Sequence, residues 1–134
     1  MKRKILVLVI WLVLLTLAVF LAGHVLSLVA KKTQIIGTRS AIAGAMQAEV
    51  KQPDSKVSVL INEMLGDNET IELNANQYDA VVDILASRNY QLDVPQPWKP
   101  GMTLNDPWGK RFRIIIQRAG GNLTPTVMVT NHLR

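Results

Sequence analysis

The chain has 134 residues, no cysteine and a formal charge of +5, so disulfides and thiolate metal sites are excluded. Lys2, Arg3 and Lys4 supply three of those charges, and residues 31–134 carry 12 Lys/Arg against 10 Asp/Glu, a net of +2. That falls short of the concentrated basic face a nucleic-acid binder needs, and the ~100 residues beyond the first apolar stretch suffice for one small domain.

Ile5 to Ala30 contains no charged residue, and only Thr16, His24 and Ser27 are clearly polar. A helix needs about 20 apolar residues to cross the hydrocarbon core, and this run exceeds that. Secretory signals have a shorter apolar core of about 7–15 residues and a small residue at both cleavage positions. Leu28-Val29-Ala30 has a large one at the first. Residues 1–31 are therefore expected to form an uncleaved transmembrane anchor, with 32–134 as the domain it carries. Lys2, Arg3 and Lys4 outnumber Lys31 and Lys32, which by the positive-inside bias favours a cytoplasmic N-terminus. His24, alone near the outer end of the span, reads as interfacial.

Helix signals continue beyond Lys31. Ile35/Ile36, Arg39, Ile42/Ala43, Met46 and Val50 recur at three- and four-residue steps, so the helix is expected to run to about Gln52 and to stop at Pro53. A second helix starts near Asp54 or Ser55, with Val57, Leu60, Ile61, Met64 and Leu65 as its apolar stripe and Gly66 as its stop. Thr70 to Leu73 suits a short extended piece. A third helix spans about Asn76 to Ser87, capped by Asn74 or Asn76, and buries Tyr78, Val81, Val82 and Leu85. Three prolines and Gly101 make Val94 to Asn105 a loop. Arg111 to Gln117 alternates as a strand with Phe112, Ile114 and Ile116 on one face, and Thr126 to Thr130 forms a second, with Val127 and Val129 inward. The expected class is α+β.

The charges inside the domain are unevenly placed. Nine acids and three bases lie between Glu49 and Asp93, whereas six bases and only Asp106 lie from Lys99 to Arg134. Two readings follow: balance within one fold, or a contact in which Arg111, Arg113 and Arg118 meet acids on a neighbouring molecule. Catalytic chemistry is thin. His24 and His132 are the only histidines and stand at opposite ends of the chain, no phosphate-loop pattern occurs, and Asp79 with Asp83 reads as a solvated helix face. No enzyme activity, cofactor or metal is expected.

Asn105-Asp106-Pro107-Trp108-Gly109-Lys110 directly precedes the first long strand. Asp at the first turn position accepts from backbone N–H groups ahead of it, Pro at the second presets φ, and Gly at the fourth tolerates positive φ. Trp108 is expected to pack over the start of the hairpin. With this turn the chain resembles the pseudopilins of bacterial type II secretion, the major pseudopilin above all. Those proteins have a basic leader end, a long N-terminal helix that is half anchor, and a D-P-W-G segment leading into a C-terminal antiparallel sheet. Asp106-Pro107-Trp108-Gly109 followed by Arg111-Phe112-Arg113-Ile114 matches that segment, and Trp98 and Pro100 fit its proline-rich approach.

The resemblance implies a pilin-like domain and a non-enzymatic subunit of a type II secretion or pilus-type envelope assembly. It would sit in the bacterial inner membrane, with its domain periplasmic. Its partners would be membrane lipid through the helix, and itself or other pilin-like or secretion subunits. Two family features are missing. Lys4-Ile5-Leu6-Val7-Leu8 stands where prepilins have Gly before Phe-Thr-Leu-Ile-Glu, and no acid follows Asp106 to build the family's calcium loop. A pilin-like domain on a permanent anchor fits the residues better than a processed filament subunit. The alternative is a single-pass anchored domain that uses the fold as an interaction scaffold.

Overall fold

The computed structural model describes residues 1–88, 90, 92, 94 and 97–130. Asp93, Pro95, His132 and the tail 131–134, which entered the reading of charge, loop and calcium, lie outside the described residues. The chain divides into two compact units, 1–33 and 34–134.

Helix α1, Lys2–Val50, runs through both. Its stretch in the first unit is apolar, and residues 1–30 are exposed throughout. Trp11 and Phe20 are more than two-thirds exposed, as water would not tolerate over such a length. By length and composition this stretch can cross a membrane. Gly23, Gly37 and Gly44 do not interrupt the helix, and it ends at Val50, two residues before the expected stop.

In the second unit α1 becomes amphipathic and buries Ile35, Thr38, Ile42, Ala45, Met46 and Glu49. Thr38 and Glu49 lie on this buried face, whereas Arg39 is exposed and Val50 half-buried. Helix α2, Lys56–Leu65, is capped by Ser55, whose side chain accepts from Ser58 N–H, and stops at Gly66, which has φ +53°. Helix α3, Ala75–Ser87, opens on a capping box in which Asn74 and Gln77 bond each other's backbone reciprocally. It buries Tyr78, Val81, Val82 and Leu85, as the apolar period predicts.

The sheet has three antiparallel strands in the order β1 (Thr70–Glu72), β2 (Arg113–Ala119), β3 (Asn122–Met128). The extended piece at Thr70 thus joins the hairpin as an edge. Both hairpin strands differ from expectation. β2 begins two residues later than Arg111, because Arg111 and Phe112 still belong to the exit from the turn. β3 begins four residues before Thr126, because only Gly120 and Gly121 form the turn. Both have positive φ, +57° and +81°, the requirement of a tight two-residue hairpin. The register pairs Ala119 with Asn122, Ile116 with Pro125 and Ile114 with Val127. Ile114, Ile116, Pro125 and Val127 face inward onto the helices, and Arg113, Gln117, Thr124 and Thr126 face out.

Candidate functional site

The segment before β2 forms the turn its residues dictate. Gly109 N–H donates to Asp106 C=O at 2.9 Å, and Asp106 N–H to Lys110 C=O at 2.8 Å. The Asp106 carboxylate, nearly buried, accepts from Trp108 N–H and Lys110 N–H, both at 2.9 Å. Gly109 has φ +79°, where a side chain would be strained. Tyr78 O–H on α3 donates to Leu104 C=O at 2.7 Å and ties the approach to the turn into the core; burial pushes its hydroxyl pKa well above the ordinary value. Asp106, Pro107 and Gly109 therefore do structural work.

Trp108 is 41% exposed, so the residue is only partly covered.

Arg111, Arg113 and Arg118 all find partners within the domain. Arg111 holds Asp79 of α3 through two bonds of 2.9 Å, and Arg113 holds Glu72 of β1 through bonds of 2.7 and 2.9 Å. The two guanidinium groups grip their carboxylates edge-on, the stronger geometry for such a pair. The bond from Arg113 holds the Glu72 pKa below its usual range, and both arginines are raised in turn by their acids. Arg118 donates to Gly66 C=O at 3.0 Å and Asn62 Oδ1 at 3.1 Å, closing the C-terminus of α2. Arg111 and Arg113 thus meet acids of the same domain, whereas Arg118 meets neutral acceptors.

A second cluster was not singled out from the sequence. Glu49, in the last turn of α1, is 1% exposed. Its Oε1 accepts from Tyr90 O–H at 2.7 Å and lies 3.6 Å from Arg88 Nη1. Among the described residues its Oε2 finds no hydrogen-bond donor. The Glu49 carbonyl accepts from Ser55 and Ser58 hydroxyls at 2.8 and 2.9 Å, which fastens the start of α2 to the end of α1. The bond to Glu49 raises the Tyr90 hydroxyl pKa. A finer reading of the α1 period, which places Glu49 seven residues after Ile42 on the inner face, is the signal that finds it. Trp98 Nε1 donates to Asp83 Oδ1 at 2.9 Å, so Asp83 anchors the proline-rich loop rather than pairing with Asp79.

A groove of about 410 Å³ lies between the α1–α2 junction and the hairpin turn, lined by Lys51, Pro53, Asn62, Gly121, Asn122 and Leu123 among others. Among the described residues no three His, Asp or Glu side chains gather as a metal site. Comparison of the chain with protein-family models, with curated proteins and with solved structures finds no match.

Proposed function

We propose that the chain is a non-enzymatic, membrane-anchored pilin-like subunit of a type II secretion or pilus-type envelope assembly. Its N-terminus would be cytoplasmic and its domain periplasmic, at the inner membrane of a bacterium. The observation that carries this reading is one helix doing two jobs: its first stretch is apolar and exposed, and its continuation buries one face in the core of a small α+β domain. A hairpin entered through Asp106-Pro107-Trp108-Gly109 completes the domain. The polar contacts of the site are spent on holding the fold, which supports a binding or assembly role over turnover.

Photocrosslinking in inner membranes tests it, with a crosslinking residue placed at the exposed positions Ile36, Arg39, Ser40 and Trp108 and the chain coexpressed with a type II secretion system. Crosslinks to pilin-like subunits are the expected result. A C-terminal alkaline phosphatase fusion should be active, as periplasmic placement requires. An active fusion without any such crosslink would leave the anchored scaffold and reject the secretion subunit.

A further inference from the structure

We infer that Pro125 keeps the open edge of the sheet from pairing with the same edge of a second copy of this chain. Among the described residues β3 is hydrogen-bonded on one side only, to β2, which makes it an edge strand. The strand is seven residues long, and Asn122-Leu123-Thr124-Pro125-Thr126-Val127-Met128 carries no charge. The strand itself holds none of the lysines that commonly blunt such edges. A shallow groove runs beside it, lined by Leu123, Thr124 and Pro125 on the strand and by Gln47, Val50 and Lys51 at the end of α1.

The direction of the Pro125 nitrogen follows from the ladder. Leu73 N–H donates to Ile114 C=O, and Arg118 N–H donates to Glu69 C=O, so Ile114 and Arg118 turn their backbone groups toward β1. Backbone direction alternates along a strand, so Ile116 does the same. Their partners on β3 are Val127, Leu123 and, opposite Ile116, Pro125. These three residues therefore turn their backbone groups away from β2, toward the open edge. Leu123 and Val127 offer N–H groups there; Pro125, between them, has none.

An antiparallel pairing of two β3 edges bonds residues of this outward set to one another. In the symmetric register Pro125 faces itself, and two hydrogen bonds are lost where two ring Cδ groups meet. In registers shifted by two residues Pro125 faces Leu123 or Val127. Every register that makes more than one outward pair thus sets the ring against the other strand. At the opposite edge β1 is only three residues long. Chains confined to one membrane meet at raised effective concentration, which makes an unguarded edge costly.

The chain has no cysteine, so Thr124→Cys and Thr126→Cys together report the symmetric pairing, in which each faces the other on the neighbouring strand. The full-length chain in membranes is oxidised with and without Pro125→Val, and disulfide-linked dimer is read on non-reducing gels. Dimer is expected to rise several-fold with Pro125→Val and to stay at background with Pro125. Equal dimer in both, or none in a Pro125→Val protein that keeps its cooperative melt in detergent, overturns the inference. If Pro125→Val does not fold, Pro125→Thr takes its place. Failure of both to fold makes the ring a core support rather than an edge guard, and that also overturns it.

Discussion

Glu49 keeps a carboxylate at the carbonyl end of α1, where the helix dipole disfavours a negative charge, and inside the core, where one of its oxygens has no donor among the described residues. Tyr90 supplies the close bond and Arg88 a longer ion pair. Removing a single partner from such a group leaves the rest of its desolvation uncompensated, at about 1–3 kcal/mol. Tyr90→Phe is therefore expected to cost within that range. Tyr90→Phe combined with Glu49→Met should recover most of the loss, since apolar groups of similar size often replace a buried charge without penalty. Chemical denaturation of the full-length chain in detergent measures both, and a double variant weaker than the single one rejects this account. The D-P-W-G turn was legible in full as backbone, because each residue's preference is local. How far Trp108 is covered was not, because that depends on tertiary packing and not on the turn's own residues. Gly109→Ala, at φ +79°, is expected to cost about 1 kcal/mol or more. Trp108→Ala should cost clearly less than the roughly 3–5 kcal/mol of a fully buried ring.

At the scale of elements, the helices were legible and the strands only in part. Ser55, Gly66 and Asn74 are caps whose chemistry is written in a few neighbouring residues, and α2 and α3 begin and end within about two residues of expectation. Asn74 closes a complete capping box, so Asn74→Ala is expected to cost about 1 kcal/mol, read as a lowered melting temperature with helix content falling in parallel. β3 starts four residues before the expected Thr126, because the turn is confined to Gly120 and Gly121 and Asn122 already pairs with Ala119. β1 was visible only as an extended piece, since three residues gain strand character from the neighbour they pair with. The Glu72–Arg113 pair joins β1 to β2 and lends stability a pH dependence of known sign. Glu72 titrates below its unfolded value, so its contribution is complete above 4.5 and is lost as pH falls through the lowered value. Both side chains are exposed, so the loss should be small and should shrink with added salt. Melting temperature followed between pH 6 and 3 at low and high salt, with Glu72→Gln as reference, measures it.

For the whole molecule, the apolar run is legible as one long N-terminal helix able to cross a membrane, whereas the uneven charge leaves two outcomes open: acids and bases paired within one copy or between copies. Within one copy the fold gives Arg111 and Arg113 acidic partners by bringing α3 and β1 alongside the exit from the turn. That changes what a charge reversal can prove. Arg111→Glu with Arg113→Glu would set like charges against Asp79 and Glu72 in the same molecule, so loss of a neighbour contact could follow from a weakened domain alone. The exchanged pair, Arg111→Asp with Asp79→Arg, separates the two effects. It is expected to restore most of the melting temperature that Arg111→Asp alone removes, because the attraction returns with its direction reversed. A contact with a neighbour's acids would stay broken in the same variant, since the outward sign of the β2 entry has changed. Thermal melting of the full-length chain and crosslinking in membranes, carried out on the same three proteins, give the two readouts. No recovery of melting temperature in the exchanged pair would mean that the Arg111–Asp79 bond adds nothing to the fold. The basic residues before β2 would then again be available to a partner.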